Sequence, residues 1–96
     1  MARKTNEEAE AEATLLAEMK PKVRKTTLFG DNNHDAIDAQ IEVLRGEVDE
    51  DEFEDRVESG DWSENTRDCA QQAADWMDGT VDDAKPSDDW KELVQQ

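Results

Sequence analysis

His34 and Cys69 are the side chains best suited to proton transfer or nucleophilic chemistry in this 96-residue chain, and each is the only residue of its type. Nucleophilic catalysis needs a nucleophile, a base and a group that orients the base. No serine or lysine stands in a recognisable nucleophile motif, and the carboxylates are too numerous for one pair to be assigned as acid and base. We therefore predict that the protein is not an enzyme, and that His34 is a solvent-exposed residue in a first helical turn.

The segment DNNHDAIDAQIE, residues 31–42, resembles a calcium-binding loop in its spacing. Oxygen donors stand at positions 1, 3, 5 and 12 of the EF-hand pattern. Two positions depart from the pattern, because Ala36 replaces the glycine of the sharp turn and Asp38 replaces an apolar residue. The apolar residues of this segment also recur at helical spacing. We predict that Asn32 or Asn33 caps a helix here, and that the protein holds no metal and no cofactor.

Acidic residues dominate the composition, with 27 Asp and Glu against 11 Lys and Arg and a formal net charge of -16. Residues 1–30 hold six bases and five acids, a net of +1, whereas residues 31–96 hold five bases and 22 acids, a net of -17. Contact with phosphates needs a basic surface, so the acidic part excludes direct binding to nucleic acid. The expected partner is a basic protein surface.

The densest acidic run is DEDEFED, residues 49–55. Acids in the first turn of a helix favour its dipole. Three like-charged pairs spaced four residues apart follow, however, and each costs about 0.2 to 0.5 kcal/mol, so the helix is more acidic than its own stability favours. We predict that a partner docks on an acidic face made of Glu50, Asp51, Glu54, Asp55, Glu58, Asp78, Asp82 and Asp83.

The size of the acidic part allows it to imitate nucleic acid. A domain of about 66 residues is roughly 28 Å across, and B-DNA of that length carries about 16 or 17 phosphate charges. We therefore predict a non-enzymatic interaction protein that inhibits or modulates a basic, nucleic-acid-binding protein. Solubility and adaptation to a salt-rich cytoplasm are alternative causes of the acidity.

Residues 1–20 are predicted to form an N-terminal helix or a partly disordered tail, and residues 21–96 an acidic helical domain. Thr5 and Glu8 have the spacing of a capping box, and Pro21 ends the helix that they open. A basic cluster follows in a predicted extended connector, which is either solvated or clasped to the protein's own acidic face. Its members are Lys20, Lys22, Arg24 and Lys25.

Two helices are predicted between residues 34 and 60. The first, residues 34–45, places its apolar side chains on one stripe and stops at Gly46. The second opens with a capping box between Asp49 and Glu52 and ends near Gly60.

A fourth helix is predicted to begin at Asp61 as its N-cap. Over residues 62–77 it carries a seam whose middle is small and whose ends are closed by tryptophans. This seam gives the alternative function, a small structural or assembly protein in which the seam joins two copies as a homodimer. Ser87 is expected to cap a short last helix that carries Trp90.

Together these elements predict an all-α fold, a small bundle of four to five short helices with the second and fourth at its centre. The tryptophans are expected in the core, because large aromatics at helical spacing usually pack there. The other residues expected to be buried are Ile37, Ile41, Leu44, Phe53, Val57, Cys69, Ala73 and Met77.

The stretches FGDNNHDAIDAQIEVL and AADWMDG resemble small, acidic, uncharacterised proteins of bacteriophage or prophage type, over residues 28–79. The resemblance carries no activity and no functional residues to transfer, but it implies an interaction protein directed at a basic host protein. The lone Cys69 fits a reduced compartment, and the sequence shows neither a signal peptide nor a membrane-spanning run. We therefore predict a cytoplasmic protein.

Overall fold

The computed structural model describes residues 3–24, 33–80 and 85–94, apart from the side chain of Asp89. These residues form the all-α fold that the sequence predicts, and their only β-type pairing is an isolated antiparallel bridge between Val23 and Val94. No described helix is long and apolar enough to cross a membrane. The helices are α1 (Asn6–Met19), α2 (Asn33–Leu44), α3 (Glu50–Ser59), α4 (Glu64–Asp78) and α5 (Asp88–Lys91), with a 3-10 turn at Lys20–Lys22.

Helix α1 begins at the capping box that the sequence predicts. The Glu8 backbone N–H donates to Thr5 Oγ1 at 3.1 Å, and the Thr5 N–H donates to the Glu8 carboxylate at 3.4 Å. The helix ends just before Pro21, whose ring cannot continue α-helical hydrogen bonding. Its inner face lies in the same core as α2 and contributes Ala9, Ala13, Leu16 and Met19.

Helices α2 and α4, which the sequence places at the centre, contact each other most extensively, and α1 packs against α2. Arg45, just after α2, pairs with Glu10 early in α1 at 3.2 Å. Lys20, just after α1, pairs with Asp38 in α2 at 2.8 Å, so these two helices run antiparallel. The Lys4 N–H, before α1, donates to a carbonyl in the last turn of α4 at 2.8 Å. The start of α1 therefore lies beside the ends of both α2 and α4.

A buried glutamine joins three helices. Gln40 of α2 is fully buried, and its Nε2 donates to the Cys69 carbonyl of α4 at 3.1 Å. Its Oε1 accepts the indole N–H of Trp90 in α5 at 2.8 Å. Because a buried polar group is costly without a partner, these bonds hold α5 in place on the α2–α4 pair. Trp76 and Trp90 both lie in the core, as expected.

A buried carboxylate ties α1 to the last helix. Glu12 is only 6% exposed, and it accepts the Ser87 backbone N–H at 2.8 Å. The prediction that the Ser87 side chain caps the last helix is wrong. Its backbone is already helical, with φ -67° and ψ -25°, whereas a capping hydroxyl needs extended backbone to reach the N–H groups of the first turn.

Helix α3 starts and stops at local signals. The Asp49 side chain accepts the Glu52 N–H at 2.8 Å. The predicted capping box is half formed, because the Glu52 carboxylate binds Arg56 Nε at 2.9 Å instead of turning back to the cap. Gly60 ends the helix at φ 83°, a left-handed conformation that glycine adopts without strain.

Helix α4 begins at Ser63, not at the predicted Asp61. The Ser63 hydroxyl accepts the Thr66 N–H at 3.2 Å. Trp62 therefore precedes α4 and is only half-buried, because its ring packs on the side of α3 instead of on the inner stripe of α4. The predicted seam of residues 62–77 therefore loses Trp62, and only its residues within α4 remain on one helix.

The expected core is confirmed on α2 and in part on α4. The buried members of the predicted set are Ile37, Ile41, Leu44, Ala73 and Trp76. The half-buried members, for which the prediction is wrong, are Phe53, Val57, Cys69 and Met77. Helix α3 lies outside the core formed by α1, α2 and α4. On α4 the inner face passes through Ala70 instead of Cys69, since the smaller residue allows a close approach of α2.

The start of α2 differs from the prediction in two residues. Asn33 lies within the helix and is not its cap, and its Nδ2 donates to the Arg24 carbonyl at 3.0 Å. Asn32, the other predicted cap, lies outside the described residues. His34 is half-buried instead of solvent-exposed, and its Nε2 lies 3.0 Å from the Val23 carbonyl oxygen. Both contacts hold residues 23 and 24 against α2.

Candidate interaction surface

Helix α3 separates its acidic residues from its packed residues. The predicted face residues on this helix are all exposed, namely Glu50, Asp51, Glu54, Asp55 and Glu58. At 3.6 residues per turn they occupy an arc of about 140° around the helix axis. The half-buried residues, on the opposite arc, are Glu52, Phe53, Arg56 and Val57. The structure therefore brings five of the eight predicted residues to one side of one helix, which we call the α3 face.

The carboxylates of the α3 face are densely spaced. Glu50 and Glu58 are separated by about 12 Å along the axis at 1.5 Å per residue. Over about 12 Å, a DNA duplex carries about seven phosphate charges and one strand about three or four. The five carboxylates of the α3 face lie between these two values.

The other three predicted residues do not lie on α3. Asp78 is exposed at the C-terminal end of α4. Asp82 and Asp83 lie outside the described residues. The candidate surface that the structure supports is therefore the α3 face, with Asp78 on a separate helix.

Aromatic contacts support the inner side of α3. The Phe53 and Trp62 rings meet edge to face, with centroids 5.2 Å apart and planes at 84°. The guanidinium of Arg56 lies over the Trp62 ring, 5.2 Å from its centroid. These contacts turn the opposite side of α3 toward solvent.

Arg56 is the ionic link between α3 and α2. Its Nε binds Glu52 within α3 at 2.9 Å, and its Nη1 binds Glu42 of α2. The hydrogen bond to Glu52, followed by that to Glu42, raises the pKa of Arg56 above its ordinary value, although burial opposes the shift. The charged guanidinium thus offsets part of the negative charge of Glu52 and Glu42, and neither of these acids belongs to the α3 face.

An open cleft of about 420 Å³ lies between α2, α3 and the residues before α4. Cations of the chain already engage much of its acidity. Lys20 pairs with Asp38 at 2.8 Å, and Arg56 pairs with two further carboxylates. The α3 face is therefore better suited to an external cation than this cleft. The cleft is lined by Asp35, Asp38, Ala39, Glu42, Glu52, Arg56, Asp61 and Trp62.

The basic cluster contacts the acidic part at a different place from the predicted face. Lys20 binds Asp38 on α2, and Lys22 and Arg24 are exposed. Lys20–Lys22 form a 3-10 turn instead of extended chain. Lys25 and the rest of the predicted connector lie outside the described residues.

The candidate catalytic and metal residues take ordinary structural positions. Residues 33–42 of the calcium-like segment belong to α2, and a helix cannot wrap around an ion as an EF-hand loop does. Within the described ranges, no three His, Cys, Asp or Glu side chains come together as metal ligands. His34 contacts a backbone carbonyl, and Cys69 is half-buried on α4.

Sequence reasoning missed the role of Arg56 and Glu42. The available signal was that Arg56 is the only base between Arg45 and Arg67, and that it stands three residues after an apolar Phe53. Residues three apart share a helix face, so the spacing places this base on the packed side of α3. Its partner on α2 has no such signal, because fourteen residues separate the two along the chain.

The fold and this surface define a class, a small all-α acidic protein whose most acidic helix turns its carboxylates to solvent. Comparison of the chain with protein-family models, with curated proteins and with solved structures found no match.

Proposed function

We propose that the protein is a non-enzymatic interaction protein that docks its α3 face on a basic protein surface. The observation that carries the proposal is the division of α3, in which five carboxylates occupy one exposed side while the only base of the helix is held on the other. A surface of this kind attracts cationic macromolecules and repels nucleic acid.

The charge density supports imitation of nucleic acid. The molecule measures 35 × 33 × 19 Å along its principal axes. A duplex about 35 Å long carries about 20 phosphate charges, which is similar to the net charge of -16 of this chain. A protein that binds nucleic acid through lysines and arginines would therefore find comparable charge on this chain, and occupation of its binding site would inhibit it.

The finer features of the proposal follow from the sequence. The partner is a basic, nucleic-acid-handling protein of a host cell, as the resemblance to phage-type proteins implies. The protein acts in the cytoplasm, where its single Cys69 stays reduced. It does so as a bundle of four to five helices, in which Lys20 of the basic cluster pairs with Asp38 of α2.

Self-association through the seam of α4 is the weaker candidate. Of the four small residues that would mediate it, Ala70 and Ala73 are fully buried and Cys69 and Ala74 are half-buried, and α4 packs against α2 of the same chain. A second copy would have to displace α2. Ala73→Glu would disrupt the core itself, so it cannot test for a dimer.

Capture of partners from a nuclease-treated bacterial lysate tests the proposal. The protein is immobilised, and capture is compared at about 0.1 M and about 1 M NaCl, where the Debye length falls from about 10 to about 3 Å. We expect basic nucleic-acid-binding proteins to be retained at the lower salt only, and to be displaced by added duplex DNA.

A matched pair of variants separates the α3 face from net charge. Reversal of Glu54, Asp55 and Glu58 to lysine should reduce capture by about tenfold or more, because it removes most of the local attraction. Reversal of Glu18, Asp68 and Glu92 to lysine changes the net charge equally on other exposed parts of the chain, and should leave capture nearly unchanged. Equal losses in both variants, or capture indifferent to salt, would contradict the proposal.

A further inference from the structure

We infer that α3 unfolds locally as a unit, which we call opening, while the α1–α2–α4 core stays folded. Arg56 is the residue whose contacts hold α3 in its packed, closed position. All ten residues of α3 are described, and none of them is buried. Helices α1, α2 and α4, by contrast, share a continuous buried cluster. Segments with little buried apolar surface open at lower free energy than the core to which they are attached.

The charges of the α3 face favour opening. Glu50 with Glu54, Asp51 with Asp55, and Glu54 with Glu58 are like-charged neighbours one turn apart. The only opposite-charge pair within α3 is that of Glu52 with Arg56. The helix therefore gains little from its own side chains and depends on its attachments.

Arg56 makes several of the contacts that attach α3 to the rest of the molecule, and Phe53 packs against the core beside it. Arg56 pairs with Glu42 of α2 and lies over the Trp62 ring. The Arg56 carbonyl also accepts the Trp62 N–H at 3.4 Å, and Phe53 contacts the same ring. Loss of the guanidinium removes the ion pair to α2 and the cation–π contact together, and leaves the packing of Phe53 and the backbone hydrogen bond to Trp62.

Opening would change the proposed interaction surface. In the closed form the α3 face presents five carboxylates along a rigid helix, and in the open form this array is lost. Resting on the proposed function, the inference assigns Arg56 a positioning role, in which it sets the fraction of molecules that present the ordered face. Opening itself is a property of the free protein and is measured without any partner.

Hydrogen exchange of the full chain, followed by mass spectrometry without a partner, tests the inference. We expect amides of residues 53–59 to exchange at least about tenfold faster than the buried amides of α2 and α4. Arg56→Gln should raise the exchange rate of the α3 amides by a further fivefold or so. The rates in α2 and α4 should not change, because the contacts of Arg56 stabilise the packed position of α3 and not the core. Arg67→Gln is the matched control, since Arg67 pairs with its sequence neighbour Asp68 on the same helix, and it should change neither region.

A second variant tests the role of repulsion. Glu54→Gln removes two of the three like-charged pairs and keeps a similar helix propensity, so it should slow α3 exchange by about two- to fivefold. The inference is overturned if α3 exchanges together with α2 and α4 in the parent protein, or if Arg56→Gln accelerates all helices equally. Faster α3 exchange in Glu54→Gln would also overturn it. Failure of partner capture would leave these results unaffected.

Discussion

Gln40 and Glu12 show how much of this fold depends on single polar side chains in the core. Both are buried, and each binds a partner on another helix, the indole N–H of Trp90 and the backbone N–H of Ser87 respectively. In a chain with so few large apolar residues, such bonds add direction that hydrophobic burial lacks. They place α5 at one position on the larger helices.

At this scale we predict that Gln40→Leu destabilises the protein by about 2 to 4 kcal/mol. Leucine has a similar volume, but it leaves the Trp90 indole N–H buried without its acceptor, which costs about 1 to 3 kcal/mol, and it removes the hydrogen bond to the Cys69 carbonyl, which contributes about 0.5 to 1.5 kcal/mol. Urea unfolding followed by circular dichroism measures the change. Gln71→Leu on the exposed side of α4 is the control and should alter stability by about 0.5 kcal/mol or less. Equal stability of the two variants would show that the buried amide is dispensable.

The helices differ in how they are held. Helix α2 has most of its residues buried, whereas α3 has none buried and is bounded by its cap and its terminal glycine. Helix α4 is intermediate, with a buried inner stripe and an N-cap that was displaced from the predicted position. The capping residues therefore determine where α3 begins and ends, whereas core packing determines the positions of α2 and α4 relative to each other.

The position of the cap of α4 can be tested directly. Ser63→Ala should lower the free energy of unfolding by about 1 kcal/mol, because it removes the acceptor of the Thr66 N–H. Asp61→Ala, the matched change at the position that the sequence favours, should have a much smaller effect, since Asp61 is exposed and precedes the cap. Thermal unfolding of both variants decides between the two positions. A larger loss of stability for Asp61→Ala than for Ser63→Ala would show that Asp61 is the cap of α4.

For the whole molecule, net charge and size act together. The Cα radius of gyration is 12.7 Å, and the net charge is -16. At about 0.01 M salt the Debye length is about 30 Å, so every carboxylate repels every other across the molecule, whereas at about 1 M it is about 3 Å. Compaction of this chain therefore works against its own charge.

We predict that added salt stabilises the protein. The melting temperature should rise by several degrees between about 0.01 M and about 1 M NaCl, because screened self-repulsion outweighs the weakened ion pairs, which in the described part of the chain are half-buried or exposed. Potassium chloride should give the same rise, since screening depends on ionic strength and not on the identity of the cation. A melting temperature that falls with salt would mean that ion pairs such as Arg56 with Glu42 dominate over the net repulsion.

The sequence by itself predicted the elements and the charge of one helix face. The capping box at Thr5 and the stop at Gly60 lie where they were expected, because caps involve residues only a few positions apart. The five acidic residues of the α3 face also follow from helical spacing alone. Periodicity and capping are local properties, so a single sequence carries them.

Only the tertiary structure decided which side chains meet across the chain. Gln40 reaches Trp90 fifty residues away, and Glu12 reaches Ser87 seventy-five residues away. Trp62 packs on α3 instead of on the inner stripe of α4, and the link from Arg56 to α2 joins residues that no spacing rule connects. These contacts depend on how the helices pack as rigid bodies, and that arrangement is set by the shape of the whole core, which no local pattern encodes.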